Sequence, residues 1–490
     1  MTTTEFTLGT AAANIINGKF VTGSGSDPIE VFNPASGKLL QNLQPASIDD
    51  ADAAVTAAAS AYPAWSGLSL THRVEYLRKM RFQLERNVEV IAAAITADHG
   101  KTLAEARGEV ARAMDFLDTA IAAPMLYHSD SINVSNGLDA RRVRESLGVC
   151  LAVTPSNFPV MNTTQFSGWA LVTGNTLIIK ASEADPIAST TVIGILQQAG
   201  LPAGVLNLIH GRADVVQHLI AHPEVKAVSC ITSSPTAKAI YAAAAAAGKR
   251  VQANGGAKNP IVVADDADLD VATAGIVSSA YGMAGQRCLA GTRLIVLDSV
   301  WDALLSKLTT AIDEIVTGDG TVEGVTMGPV VNRASYDRIL SVLGQAEEAG
   351  AEFIRDGRKV QPKGGPQTAD GYFIGPTLVA GLEPAGKLES QELFGPVVAV
   401  LRVATLDEAI ALSNNTEFGN AASIFTTSGA NAAAYERGVR SGNVGVNAFP
   451  APPANVTMGG YGTSFYGDSH VCGAAPLDFF TDQKLVVTRW

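Results

Sequence analysis

The sequence predicts an α/β protein built on a parallel, doubly wound sheet. Two observations carry that expectation. Apolar strand-like runs alternate with helical stretches from Gly148 to about Asp298, and a second α/β run continues to about Asn447. Strands separated by helices in this way pair in parallel. The chain has 490 residues, 47% of them hydrophobic, enough for two or three domains with sizeable cores.

The first 45 or so residues read as short strands, IINGKFV and PIEVFNP, with Asn17-Gly18 as a tight turn. From Ile48 to about Ala123 apolar residues recur at spacings of three and four, the period of amphipathic helices, and Asp98-His99-Gly100 punctuates them. The strands GVCLAV, TLIIK, VLNLIH, KAVSCI, RVQAN, NPIVVA and TRLIVL follow. Such sheets bind nucleotides at the carboxyl ends of their strands. The GxGxxG fingerprint is absent, so a bound dinucleotide must have its pyrophosphate held differently. The tail, DFFTDQKLVVTRW, reads as an exposed strand. With the segment from Arg141 to Ser146 it can form a projecting flap whose open edge invites another subunit.

The 35 basic and 47 acidic residues give a formal charge of −12, scattered without runs. That balance disfavours nucleic acid and points to a small metabolite. MTTTEFTLGT shows no basic region before an apolar stretch, and no segment approaches about 18 consecutive apolar residues. A cytoplasmic protein with no nucleic-acid or membrane partner is expected. Cys150, Cys230, Cys288 and Cys472 lie far apart, without zinc-like spacing, and no metal is expected. Cys150 and Cys230 sit in apolar strands and read as small buried hydrophobes; His470 reads as structural.

Cys288 has different neighbours. In GMAGQRCLAGTR it follows a glycine-rich turn and adjoins Arg287, a cation expected to favour the thiolate. A catalytic nucleophile is one reading, a structural cysteine the other. In TPSNFPV, Pro155 and Pro159 hold Asn157 at the end of a strand, where its amide can donate to an oxyanion. Lys180 and Glu183 in IIKASE can grip ribose hydroxyls or form a solvated pair. Glu392 in QELFGPVV either presents its carboxylate at a turn or is a surface acid.

TPSNFP, KASE, AGQRCLA and QELFGPVV, in this order and at these separations, resemble the aldehyde dehydrogenase superfamily over essentially the whole chain. The resemblance implies a Rossmann-type NAD domain (1–125 and 148–257), an α/β catalytic domain (258–447) and an oligomerisation flap (126–147 and 474–490). It also implies a segment, 448–473, that returns to the substrate mouth and the NAD domain. Cys288 would attack an aldehyde, and Asn157 with the Cys288 backbone N–H would stabilise the oxyanion. Thr154, Pro155, Phe158, Lys180, Glu183, Ser233, Glu392 and Phe394 would contact NAD, Glu183 repelling the 2′-phosphate of NADP.

Hydrolytic members carry a Glu where this chain has Asn254, in KRVQANGGAKNP. Asn cannot accept the proton of water at neutral pH. At this point the chain resembles the methylmalonate-semialdehyde dehydrogenase branch, whose members pass the acyl group to coenzyme A and hold the substrate carboxylate with two arginines. The matching positions are Arg287 and Arg112; without the resemblance, Arg112 reads as an ion-pair partner of Glu109. The branch implies oxidation of malonate or methylmalonate semialdehyde with loss of carbon dioxide, in a homotetramer or homodimer. A non-acylating aldehyde dehydrogenase, or a binding protein that has lost catalysis, are the other readings. Three departures stand out: Thr232-Ser233 replaces Gly-Ser, KASE replaces KPSE, and FPAPPANVTMGG carries small residues where the branch has aromatic ones.

Overall fold

The structure, a computed structural model, describes residues 7–127, 130–381, 386–451 and 453–490. Residues 1–6 at the N-terminus, 128 and 129 in the expected flap, and Pro452 in the loop 449–460 lie outside the described residues.

Val149–Val153 is buried at every position and runs through an eight-stranded sheet. Thr176–Lys180 and Leu206–Ile209 follow on one side, Val225–Ile231 and Arg250–Asn254 on the other, all parallel. Alternate residues of a strand face opposite ways, so both faces need cover. Cys150 and Ala152 join a core with Leu77, Val110 and Trp169, from helices Leu70–Arg86, Leu103–Ile121 and Pro159–Val172. Val149, Leu151 and Val153 join another with Val55, Leu219 and Ile240, from Ile48–Ser66, Ala213–Ala221 and Ser234–Ala246. The chain moves outward from Val149–Val153 in one direction, then resumes on its other side at Val225–Ile231. That reversal opens a crevice at the strands' carboxyl ends.

A second, seven-stranded sheet begins with Asn259–Val263 beside Gly291–Leu297. The run expected to form one sheet from Gly148 to Asp298 therefore divides in two. Strand periodicity reports burial and not sheet membership, so the break was invisible in the pattern. It falls at residues 255–258, where Gly255 and Gly256 carry the chain from one sheet to the other.

The smaller elements follow from local chemistry. Asn17 and Gly18 adopt φ of 53° and 72°, the two positive values of a type I′ turn, joining Asn14–Ile16 to Lys19–Val21. Ser47 and Thr102 close capping boxes with Asp50 and Glu105, each cap stabilising its helix by about 1 kcal/mol. Gly100, at φ 89°, ends helix Val88–His99. Thr481–Arg489 pairs antiparallel with Leu138–Ser146 over nine residues, and Ser131–Ser135 completes a three-stranded sheet. Tyr466 and Phe465 pair with Ala253 and Asn254, bringing the C-terminal segment back to the first sheet.

Candidate active site

Four adjacent strands deliver candidate residues to one end of the first sheet. Val153 pairs with Lys180, Cys230 with Val153, and Ile231 with Asn254. Thr154, Pro155 and Asn157 continue the first of these strands, Lys180 ends the second, Ser233 follows the third and Asn254 ends the fourth. The topological reversal falls between the strand leading to Thr154 and the one leading to Ser233.

Cys288 arrives from the other sheet, on the loop between helix Leu269–Tyr281 and strand Gly291–Leu297. Met283, Ala284 and Gly285 adopt φ of 54°, 52° and 69°. Left-handed backbone at two residues with side chains costs about 1–2 kcal/mol each, and external bonds hold it. Glu105 Oε1 accepts from the Met283 N–H at 2.7 Å. At Gly285 a Cβ would stand 2.2 Å from the Gly395 carbonyl oxygen, so only glycine fits. The Cys288 carbonyl accepts from Asn259 Nδ2 at 2.9 Å and Asn420 Nδ2 at 2.8 Å. Cys288 is therefore set by its backbone.

The electrostatics correct one expectation. The Cys288 thiol is pushed up to about 11: burial dominates, the Glu392 carboxylate adds to it, and the backbone N–H, Arg287 and Asn420 oppose it. Arg287 acts in the expected direction but is outweighed, because desolvation penalises a buried thiolate more than one partly neutralised cation favours it. Arg287 commits part of its guanidinium elsewhere. Its Nη2 donates to the Ser278 and Ser279 carbonyls, and its guanidinium lies 4.7 Å from the centre of the Phe449 ring.

Cys288, Asn157, Asn254, Phe158, Arg112 and Arg287 all line one cavity of about 560 Å³. Asn157 is buried, and its Nδ2 donates to the Gln286 carbonyl at 3.1 Å, which leaves its second amide hydrogen for the cavity. Asn254, half-buried, donates from Nδ2 to the Cys230 carbonyl at 3.2 Å. Among the described residues, the carboxylates lining the cavity are Glu105 and Glu109. Glu105 is bonded to Thr102 and Met283; Glu109 pairs with Lys101 and accepts from the Val160 and Met161 N–H groups. Both are held by structural bonds.

Arg112 does not pair with Glu109, since Lys101 occupies that carboxylate. Its Nη1 meets Asp115 at 3.2 Å, and its guanidinium lies 5.2 Å from the Phe116 ring centre. Phe449, from the loop read as carrying small residues, contributes an aromatic face to the cavity.

The other candidates lie outside the cavity. Lys180 Nζ meets Glu183 Oε1 at 2.5 Å, with Lys180 buried and the Glu183 side chain 40% exposed, so the pair is solvated on its carboxylate side only. Thr154 donates its N–H to the Lys180 carbonyl at 3.1 Å. Thr154 Oγ1 is buried with no hydrogen-bond partner. Ser233, exposed, caps the approach to helix Ser234–Ala246 and donates to Thr236 Oγ1 at 3.1 Å. Glu392 is not a surface acid. Burial pushes its carboxyl up to about 6, while Oε1 accepts from the Ala257 N–H at 2.9 Å. A Cβ at Gly256 would lie 2.2 Å from Glu392 Oε2, so the glycine admits the carboxylate. Phe394 follows with φ 52°.

Sequence patterns missed Lys101, Glu109, Gln286, Asn259 and Asn420. Asn259 lies within the segment read for Asn254, and its place beside the loop carrying Cys288 becomes visible only once two strands pair. Asn420 carries no local signal. Cys472 lines the cavity, its thiol pushed up to about 12 by burial, while Cys150 and Cys230 are buried in strands. His470 stacks on Phe465 with ring centres 4.0 Å apart.

A cysteine with fixed backbone, an amide donor and two guanidiniums around one cavity are groups of the kind that covalent attack on a carbonyl compound bearing a carboxylate requires. The sequence profile of the aldehyde dehydrogenase family matches residues 20–486. Malonate-semialdehyde dehydrogenase of Halalkalibacterium halodurans is 37% identical, over 97% of this chain and 98% of its own. The structure of methylmalonate-semialdehyde dehydrogenase from Oceanimonas doudoroffii is similar at a TM-score of 0.95 and 36% identity, covering 98% of each chain. A Sinorhizobium meliloti 1021 protein solved with NAD gives a TM-score of 0.95 at 33% identity, also covering 98% of each. This chain belongs to the aldehyde dehydrogenase family.

Proposed function

We propose that the protein oxidises malonate or methylmalonate semialdehyde with NAD, through a thioester on Cys288, and passes the acyl group to coenzyme A. One observation carries the acylating half. Asn254 stands where a general base would act, and the carboxylates lining the cavity are both tied to structural partners. Among the described residues of the cavity no carboxylate is left to activate water, whereas coenzyme A supplies its own nucleophilic sulfur.

Cys288 gives up its thiol proton to solvent as Sγ adds to the aldehyde carbon, and the second Asn157 amide hydrogen together with the Cys288 N–H meets the oxyanion. NAD held there would supply the hydride acceptor that brings the acyl carbon to the thioester level. Thr154, Pro155, Phe158, Lys180, Glu183, Ser233, Glu392 and Phe394 would hold it. The unpartnered Thr154 hydroxyl at the topological reversal fits an arriving polar group, and the Lys180–Glu183 pair offers a donor and an acceptor to a ribose diol. The Glu183 carboxylate disfavours a 2′-phosphate.

Arg112 and Arg287 hold the substrate carboxylate until the bond to the α carbon breaks. Carbon dioxide then leaves, the electron pair passes into a thioester enolate whose oxygen takes the oxyanion position, and a solvent proton reaches the carbon. The thiolate of coenzyme A displaces Cys288 to give acetyl-CoA or propionyl-CoA. The likeness to the Halalkalibacterium and Oceanimonas enzymes supports this substrate class.

Among the described residues, no helix is long and apolar enough to cross a membrane. We read the protein as cytoplasmic. The open edge of Thr481–Arg489, with Leu485 and Val487 more than half exposed, supports assembly into a homodimer or homotetramer through the flap.

The test is NADH formation with malonate semialdehyde, with and without coenzyme A. Omitting it should cut sustained turnover by about 10²-fold or more, the range that a positioned general base would otherwise contribute to attack by water. Equal sustained rates would reject acyl transfer and favour the hydrolytic reading.

A further inference from the structure

The side chains of Lys101 and Glu109 are both completely buried, pressed against the segment that carries Asn157. Lys101 Nζ pairs with Glu109 Oε2 and also donates to the Asn157 carbonyl at 2.6 Å. It lies 4.6 Å from the centre of the Phe158 ring. Glu109 Oε1 accepts from the N–H groups of Val160 at 2.8 Å and Met161 at 3.1 Å. Those are first-turn donors of helix Pro159–Val172, whose own N-cap, Phe158, makes no side-chain cap bond. A carboxylate from a different helix does the capping, where the helix dipole favours negative charge.

Buried ion pairs are poor stabilisers, since desolvation consumes most of their attraction. This one does something a pair of apolar residues would not: it fixes the backbone at two nearby places, the Asn157 carbonyl and the Val160 and Met161 N–H groups. Asn157 is gripped at its carbonyl by Lys101 and at its amide by Gln286. Gln286 accepts in turn from the Val331 N–H at 2.9 Å and lies two residues before Cys288. One turn along the same helix as Glu109, Glu105 bonds the left-handed Met283. A single helix, Leu103–Ile121, and the lysine just ahead of it therefore fasten both halves of the site.

We propose that Lys101 is a positioning residue: with Glu109 it fixes the backbone of Asn157 and so aims the Asn157 amide at the oxyanion above Cys288. The proposal rests on Asn157 being the oxyanion donor. A displacement of about 1 Å in such a group is enough to slow a reaction by about 10²-fold.

Lys101→Met combined with Glu109→Gln removes the ammonium without leaving a buried carboxylate, and the Gln oxygen still accepts from Val160 and Met161. The measurement is the first-turnover rate of NADH formation with malonate semialdehyde, in the wild type and in an Asn157→Ala background. The double substitution should slow the wild type by about 10- to 100-fold, with KM for NAD changed less than about twofold. In the Asn157→Ala background it should cost less than about threefold, because the group it aims is gone. An equal loss in both backgrounds, or no loss in the wild type, overturns the role of Lys101. If Asn157→Ala alone leaves the rate intact, the oxyanion assignment fails first and the proposal falls with it. Should the apolar variant not fold, Lys101→Gln with Glu109→Gln keeps a buried amide pair, and the same comparison of backgrounds decides.

Discussion

Replacing Cys288 with Ala is expected to lower NADH formation from any aldehyde by about 10⁴-fold or more, the scale on which losing a covalent nucleophile acts. The structure makes the substitution a clean one. Cys288 is positioned through its carbonyl, by Asn259 and Asn420, and its loop through Met283 and Gly285. The carbonyl bonds and the loop contacts do not use the thiol, and Asn420 loses only its further contact with Sγ, so Cys288→Ala should keep its melting temperature within a few degrees. A steady-state assay beside a thermal melt checks both halves. A variant that stays folded and retains more than about a tenth of the wild-type rate would remove Cys288 from the chemistry.

Asn254→Glu should produce a turnover without coenzyme A that the wild type lacks, about 10²-fold above it, the range that a positioned general base contributes. Asn254 reaches the same cavity as Cys288, so a carboxylate there can meet a water bound for the thioester. The new Glu would lose the bond from Nδ2 to the Cys230 carbonyl, a cost of about 1 kcal/mol. Facing that carbonyl oxygen disfavours its charged form, which brings its basicity nearer neutral pH. The readout is NADH formation in the absence of coenzyme A. A variant as dependent on coenzyme A as the wild type would show that something other than the missing base sets the fate of the acyl group.

Some of this was written plainly in the chain and some was not. Strands such as VCLAV and TLIIK are apolar at nearly every position, so their burial and parallel pairing follow from composition. Asn17-Gly18 and Gly100 mark conformations that few other residues adopt. Motif order was enough to gather Cys288, Asn157, Asn254, Arg112 and Arg287 around a common cavity.

Charge was harder to read. Arg287 beside Cys288 suggested an acidified thiol, yet burial and Glu392 outweigh it, and neither is visible from adjacency in sequence. Arg112 and Glu109, three residues apart on one helix, suggested a surface pair. The helix turns Glu109 inward to Lys101 and leaves Arg112 to Asp115. Lys101 and Glu109 look like ordinary surface residues in HGKTLAEARGEV, because nothing local marks a charge that tertiary packing will bury. The break between the two sheets was hidden for a related reason: a strand's apolar pattern is the same whichever sheet it joins.

The central claim is a thioester on Cys288 that waits for coenzyme A. It is tested most directly by mixing the protein with NAD and methylmalonate semialdehyde, without coenzyme A, and measuring the mass of the Cys288 peptide after an acid quench. A hydroxylamine-labile propionyl adduct on Cys288 is expected, formed along with about one NADH per site and cleared within a turnover when coenzyme A is added. An unmodified Cys288 peptide beside continuing NADH formation would contradict that claim.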